Sequence, residues 1–516
     1  MTRRPGLAAS LGHGVRLARA GWIFVREGVF ADVDPALLPP AAQALRPLLL
    51  FLARKTRGPR NETLARALER LGPSYVKLGQ FLATRPDVVG MEVARGLERL
   101  RDRMAPFPQD VAVAIVEGAL GGPIGRFYSE FGAPVAAASI AQVHRATADG
   151  KPVAVKVARP GVERRFRADL ADMDFAARFA ESRSDEARRL QLREVVGTLE
   201  RSVRLETDFR LEAAAASEFA ANNANDPEFR VPAVDWDRTA RQVLTTEWID
   251  GIPLSDIEGL RAAGLDFVAL GRVVIQSFLR HAMRDGFFHA DMHQGNLFAD
   301  GQGRLVAVDF GIMGRLGLKE RRFLAEILFG FITADYRRVA QVHFDAGYVP
   351  PHHSVEEFAQ AIRAIGEPIH ARRADEISMA RLFTLLFEVT ALFDMRTRPE
   401  LVLLQKTMVV VEGVARNLDP HLDMWRTAEP VVREWVEGNL GPAAQVKQAG
   451  LTLEALLRVA TRAPAILGRL ESLAEEGVAA APGAVRDLEA ATDTATRMGQ
   501  WLPWLVAGGI LVLLLR

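Results

Sequence analysis

The sequence predicts an α+β chain of two lobes, with helices ahead of the first lobe, a mostly helical second lobe and an apolar segment at the C-terminus. Three observations predict this. Apolar residues alternate with a period of two over 121–158 and turn back at Asp149-Gly150, a strong hairpin signal. On either side the apolar spacing lengthens to three and four, as in helices. Gly286–Gly311 reads GFFHADMHQGNLFADGQGRLVAVDFG, with polar groups at fixed offsets ahead of two short apolar runs.

Composition sets bounds on function. A length of 516 residues accommodates about two to four domains. Lys+Arg is 65 and Asp+Glu 64, so nothing in the charge demands nucleic acid. With no cysteine, disulfides, thiolate metal sites and Cys nucleophiles are excluded. His13, Arg16 and Arg19 interrupt the apolar residues after Arg3-Arg4, which argues against a secretory signal.

Residues 1–60 step through Leu11, Val15, Ala18, Trp22, Val25 and Val29, one helical stripe flanked by Arg16, Arg19 and Arg26. The stripe suits an anionic bilayer surface or packing on the body of the protein. Residues 61–120 continue as helix, interrupted at GPSYVKLGQFLATRPDVVG. Gly79 inside a helical pattern costs about 1 kcal/mol against Ala. With Lys77 and Gln80 it points to close approach of another element; alone, it also reads as a helix end with a solvated Lys.

Residues 121–250 carry the first lobe. In VAVKV, Lys156 stands alone in an apolar strand, where an unpaired ammonium is expensive, so a carboxylate or phosphate should meet it. The pattern matches the strand that presents a Lys to nucleotide phosphates. Where a Gly-rich loop would cover those phosphates, this chain has Ala136-Ala137-Ala138-Ser139. The Cβ methyls limit how closely the loop folds, which predicts an altered nucleotide grip. Val135, Ala136, Ala137, Ala138, Ser139, Ile140, Ala141, Gln142 and Val143 are the residues expected around the nucleotide. A helical Glu should orient Lys156; Glu206, Asp208 and Glu212 are the candidates, and Glu212 is assigned to Lys156. The long gap between them predicts inserted helix over 160–200. The strand ending at Glu247-Trp248 fits a hinge whose backbone groups face an adenine edge.

Residues 251–445 form the helical second lobe, with a helix over 260–285 delivering the Gly286–Gly311 stretch. Asp291, Asn296 five residues on, and Asp309-Phe310-Gly311 have the order phosphoryl transfer needs. Asp291 would position the acceptor, while Asn296 and Asp309 supply the oxygen ligands Mg²⁺ prefers. Ala290 replaces the usual Arg, no A-P-E segment follows, and the chain is expected to pass from Gly311 directly into helix. Residues 320–445 read as helical, with loops near Pro350-Pro351 and Pro399. Residues 446–500 read as amphipathic helices. Residues 501–516, opening WLPWLVAGGILVLLL, read as a membrane segment, although roughly 20 residues are needed to span. Spanning, re-entry and an interfacial position all remain open for it.

This combination resembles the UbiB family of atypical kinases, the aarF-domain or ABC1-type kinase-like proteins. It is carried by Lys77-x-Gly79-Gln80, AAASIAQVH, Lys156 in VAVKV, Glu206-x-Asp208, HADMHQGN and the following DFG. The similarity runs from about residue 60 to 320. It implies a bilobal, protein-kinase-like α+β fold with a helical extension folded across the site where a peptide would bind. It further implies that the motif of Lys77, Gly79 and Gln80 points into the nucleotide pocket and that Lys77 meets Glu206 or Asp208.

The resemblance also implies ATP or ADP with Mg²⁺ as cofactors and a role in ubiquinone biosynthesis at a membrane, more ATPase than protein kinase. The family's label as a 2-polyprenylphenol hydroxylase step reads as a pathway requirement, since no flavin fingerprint, haem Cys or clear iron triad is present. Expected partners are membrane lipid, a polyprenylphenol intermediate and ubiquinone-biosynthesis enzymes, with a homodimer also admitted. The expected location is the bacterial inner membrane, with the catalytic part cytoplasmic. Two other readings stay open: a small-molecule phosphotransferase, since His293 gives an H-x-D-x-H-x-x-N loop, and a nucleotide-sensing scaffold.

Overall fold

The computed structural model describes residues 7–29, 63–83, 104–183, 191–370 and 399–441, with isolated positions between these. It divides into two units, Met1–Val436 and Glu437–Arg516. The second is described only as far as Gly441, so the expectations for 446–500 and for Trp501–Leu515 lie outside the described residues. Among the described residues, no helix is long and apolar enough to cross a membrane.

Helices α1 (Leu7–Glu27), α2 (Thr63–Leu71) and α3 (Pro73–Ala83) precede the first lobe. That lobe runs through α4 (Gln109–Leu120), β1 (Glu130–Ala137), β2 (Ala141–Ala148), β3 (Lys151–Ala158), α5 (Val162–Glu181), α6 (Leu192–Glu206) and α7 (Phe209–Asn222). After the short β4 (Phe229–Arg230), β5 (Val243–Glu247) completes an antiparallel sheet of order β1-β2-β3-β5. The β2–β3 hairpin closes through Asp149 (φ 50°) and Gly150 (φ 74°), the left-handed pair a two-residue turn requires. Pro134 is tolerated in β1 because β1 is an edge strand with an irregular register. One sheet face packs on α4 through Val153, Val155 and Val157. The other packs on α5, α6 and α7 through Ala141, Ala158 and Leu244.

The second lobe contains β6 (Gly251–Pro253), α8 (Ile257–Ala262), α9 (Phe267–Arg280), β7 (Phe287–His289), β8 (Leu297–Asp300), β9 (Leu305–Ala307) and β10 (Met313–Arg315). Helices α10 (Leu318–Ile332), α11 (Tyr336–Asp345), α12 (Val355–His370), α13 (Pro399–Leu418) and α14 (Met424–Leu440) follow. Buried Leu270, Val273, Val274 and Phe278 of α9 centre its core. The helix expected over 260–285 is two helices: the chain breaks after α8, and Asp266 restarts α9 by accepting from the Ala269 N–H at 3.0 Å. The C-terminus of α9 widens into a π turn, His281–Asp285, closed by Gly286 at φ 66°. A Cβ at Gly286 would lie 2.6 Å from the Leu316 carbonyl oxygen, so only glycine fits the entry to β7.

Two further expectations are corrected. The strand β10 pairs with β7 before α10 begins, so Gly311 does not lead directly into helix. Pro399 itself opens α13, which costs nothing because its missing N–H would be unsatisfied there. In α1, Ala18 and Trp22 of the expected stripe face outward, Trp22 at 51% exposure, while Ala20, Val25 and Glu27 are buried. Ion pairs set that rotation: Arg16 donates to buried Asp172 of α5 at 2.6 Å, and Arg70 pairs with Glu27.

Candidate active site

Alternation along β3 sends Val153, Val155 and Val157 to the outer core, so Lys156 faces the opposite side. There its Nζ donates to Glu212 Oε1 at 2.7 Å and Oε2 at 3.0 Å, and to Asp309 Oδ1 at 3.1 Å. Lys156 and Glu212 are nearly buried, at 14% and 7% exposure, whereas Asp309 is 48% exposed. Burial alone would depress the Lys156 ammonium, but Asp309 and Glu212 together hold it above its ordinary range. Burial pushes Glu212 up to about 7, opposed by Lys156 and reinforced by Asp309. Asp309 is held below the usual carboxylate range: partial burial works against that, and Lys156 outweighs it.

The second cluster is built on β7 and the loop after it. His289 is buried; its Nδ1 accepts the Asp291 N–H at 3.1 Å and its Nε2 faces the Val308 carbonyl at 3.2 Å. Those contacts fit a neutral imidazole protonated at Nε2, and burial lowers its pKa. Asn296 Nδ2 donates to the Asp291 carbonyl at 3.1 Å and to Asp291 Oδ2 at 3.3 Å, which leaves its Oδ1 as an oxygen donor. The Val308 N–H donates to the Asn296 carbonyl at 2.9 Å, tying Asn296 to the strand that delivers Asp309. Asp309 has φ 62°, left-handed and rare for a non-glycine residue, and accepts from the Gly311 N–H at 3.3 Å. One half-exposed carboxylate and one amide oxygen form a hard-oxygen donor set that fits Mg²⁺.

Lys77 of α3 lies 2.6 Å from Glu206 Oε2, with both side chains nearly buried at 11% and 12% exposure. Asp208 does something else: it caps α7 through the Arg210 N–H and pairs with the Arg210 guanidinium at 2.6 Å. Glu206 and Glu212 occupy different helices because the chain breaks at Thr207-Asp208. Gly79 is buried against Leu68 and Leu100, where a Cβ would collide with both, so it serves close helix packing. Gln80 is half-buried.

The ABC1 atypical kinase-like domain matches residues 99–343 and the UbiB helical domain residues 362–423. A "Probable protein kinase UbiB" of Marinobacter nauticus is 41% identical over 441 residues, covering 84% of this chain and 80% of that protein. The chain belongs to the UbiB family of atypical kinases. A solved structure of Mycobacterium tuberculosis Rv3197 with erythromycin aligns at a TM-score of 0.51 and 27% identity, covering 70% of this chain and 93% of that one.

In this UbiB chain the Ala-rich stretch departs from an open phosphate loop. Val135, Ala136 and Ala137 belong to β1, and the turn is confined to Ala138–Ile140. The Ala138 N–H is taken by the Ala141 carbonyl at 2.8 Å, so it is not turned toward a phosphate. Ser139, Ile140, Ala141 and Gln142 are buried. Tyr75, Leu78 and Phe81 of α3 pack on the cluster that includes Ile140 and Ala141, which explains why these residues are covered. Gln142 faces the outer side: it accepts the Phe107 N–H at 2.9 Å, donates to the Phe107 carbonyl at 3.2 Å and contacts His144 Nε2 at 2.9 Å. Val143, directly opposite Lys156, shares its inner face.

The hinge is also more committed than expected. The Glu247 N–H donates to the Ala233 carbonyl at 2.8 Å and the Trp248 N–H to the Pro152 carbonyl at 3.3 Å. The Glu247 carboxylate pairs with Arg230, and Arg145 lies over the Trp248 ring at 5.1 Å. Neither backbone N–H is therefore available to an adenine edge.

Three positions escaped the sequence reading. Arg159 donates to the Ala138 carbonyl at 2.7 Å and to the Ala105 carbonyl at 2.8 Å, pinning the turn to the chain ahead of α4. Thr407 of α13 donates to the Ala290 carbonyl at 3.0 Å, and Asn417 donates to Gln294 at 3.2 Å. Arg159 has a weak signal, a cation closing an apolar strand before Pro160-Gly161; Thr407 and Asn417 have none.

Proposed function

We propose that this UbiB protein binds and turns over Mg²⁺-ATP, as an ATPase or small-molecule kinase that supports polyprenylphenol chemistry in ubiquinone biosynthesis at a membrane. The observation that carries the reading is Lys156 held between Glu212 and half-exposed Asp309, while α3 is tied over the same lobe by Lys77–Glu206. Lys156, oriented by Glu212, would contact the α/β-phosphates, and Asn296 with Asp309 would hold Mg²⁺. Bound Mg²⁺ supplies neutralisation of charge on the phosphate oxygens. Asp291 positions water or an acceptor hydroxyl. Protein substrates are disfavoured because only β10 separates Gly311 from α10 and Ala290 offers no phosphate-reading cation. The test is steady-state phosphate release by the full-length protein, with and without liposomes and a polyprenylphenol mimic. Stimulation by both is expected; no Mg²⁺-dependent release under any of these conditions would overturn the reading.

A soluble phosphate acceptor is the second reading, supported by His293 Nε2 lying 3.7 Å from Asp291 Oδ2. Transfer of labelled phosphate to a soluble metabolite would favour it. If Asp291→Asn still sustained quinone production in cells, a scaffold role would replace both.

A further inference from the structure

We propose that His352, His353 and Asp394 form a binding site for a divalent transition-metal ion such as Zn²⁺, joining the α11–α12 connection to the segment ahead of α13. None of these residues belongs to the Asp291–Asn296–Asp309 cluster. Pro350-Pro351 restrict the backbone immediately before two consecutive imidazoles. In the fold those imidazoles lie side by side, with ring centroids 4.1 Å apart. The His353 ring also packs 5.2 Å from Phe393, which delivers the neighbouring Asp394 to the same place. Asp394 takes φ 47°, a left-handed conformation uncommon for a residue with a Cβ.

The donor atoms converge. Asp394 Oδ2 lies 3.3 Å from His353 Nε2 and 3.8 Å from His352 Nε2. One donor atom from each of the three residues lies within 4.8 Å of the others. A tetrahedral ion with bonds of about 2.0–2.2 Å holds its ligand atoms roughly 3.3–3.6 Å apart. Two edges of such a site therefore already have almost the right length, and the third closes by small rotations of His352, which is exposed. Two imidazoles and one carboxylate suit Zn²⁺ or a neighbouring first-row ion far better than Mg²⁺ or Ca²⁺, which prefer all-oxygen sets. A simple His–Asp ion pair explains one imidazole on the carboxylate; the second, turned toward the same oxygen from outside hydrogen-bond range, fits a shared cation. Because His353 and Asp394 are 41 positions apart, such an ion would staple a long excursion of the second lobe.

The experiment is competition of Zn²⁺ between a chromophoric chelator and the full-length protein without nucleotide. His352→Gln, His353→Gln and Asp394→Asn are compared with the wild type and with Asp309→Asn. Asn tolerates the left-handed backbone at 394, and His352 and Asp394 are exposed, so these variants should melt like the metal-free wild type. The expected result is one Zn²⁺ equivalent that survives Asp309→Asn and is weakened at least about tenfold by each of the three substitutions. A Zn²⁺-induced rise in Tm should vanish in His352→Gln. No stoichiometric equivalent, an equivalent lost only in Asp309→Asn, or affinity unchanged in the three variants would each overturn the proposal.

Discussion

Lys77 and Lys156 make nearly the same local contact and sit in opposite electrostatic settings. Each ammonium lies within 2.7 Å of a glutamate, with both partners almost out of water. Glu206, however, is the last residue of α6, where the negative end of the helix dipole disfavours a carboxylate by about 0.3–1 kcal/mol. Glu212 sits in the first turn of α7, where the same dipole favours it. Lys156 has in addition Asp309 at 3.1 Å, a carboxylate that reaches solvent. One pair is a fastening between a preceding helix and the first lobe. The other is a charged contact between the lobes, with Lys156 bridging a buried carboxylate and a half-exposed one.

The largest expected effect tests that division. Asp309→Asn removes the half-exposed carboxylate and should lower Mg²⁺-nucleotide turnover by about 10²–10³-fold or more. Lys156→Met should give a loss of similar order. Lys77→Met should not approach it, remaining within about tenfold once the folded fraction is equalised. Steady-state phosphate release measures all three. Full activity in Asp309→Asn would sink the metal assignment, and equal losses in both lysine variants would erase the distinction between fastening and site.

Stability should reverse the ranking. Removing Lys77 takes the nearby ammonium from nearly buried Glu206 and leaves it the weaker donor Ser202 Oγ at 3.4 Å, at a cost of about 3–5 kcal/mol. Removing Lys156 should cost less, about 1–3 kcal/mol near neutral pH, because Glu212 can take up a proton and Asp309 can hydrate. Urea melts of the two variants at pH 7 make the comparison. A larger loss in Lys156→Met would show that the site, rather than the fastening, holds the first lobe together.

A smaller effect comes from pH. Glu212 has its folded pKa raised to about 7, so between its ordinary value and 7 the folded chain binds a proton that the unfolded chain has released. Its contribution to stability is complete below the ordinary glutamate pKa and is lost as pH rises toward 7. The slope approaches about 1.4 kcal/mol per pH unit at its steepest. Glu212→Gln should remove that slope from urea midpoints measured over this range. A wild-type profile already flat there would contradict the shift.

What could be read from the sequence, and what could not, follows from the range of the interactions. The position of Lys156 in its strand, and of Asp291, Asn296 and Asp309 within one short stretch, was legible from period-two alternation and fixed offsets. The two helices between Lys156 and Glu212 were legible as a length. Register also contained a usable signal that went unread: Val143 pairs opposite Lys156, so Gln142 must point to the other face. The rotation of α1 was hidden because Arg16 meets Asp172 156 residues away. Thr407 and Asn417 reach the loop after β7 across 117 and 123 residues, and nothing local marks them. Burial of Ile140 and Ala141 depends on α3 lying over them, a tertiary fact that no property of AAASIAQVH contains.

The smallest predicted effect concerns that covered stretch. Ala137 is the last residue of β1, opposite Gln142, and its carbonyl accepts the Met104 N–H at 3.2 Å. The turn beyond it is held by Arg159 on the Ala138 carbonyl, so its conformation is fixed from outside by the chain ahead of α4. Ala137→Gly removes a methyl group and widens the accessible backbone, weakening this part of the strand by about 0.5–1 kcal/mol. That energy corresponds to a change of about two- to fivefold in an equilibrium constant. If the closed turn limits access of the terminal phosphate, the change should fall unequally on ATP and ADP and alter their affinity ratio by that factor. Arg159→Gln should shift the ratio in the same direction, since it releases the same turn from the other side. Calorimetric titration of both nucleotides into the full-length variants measures it. Unaltered affinities for both nucleotides in both variants would remove the turn from nucleotide selection and leave Lys156 and Asp309 as the groups that set it.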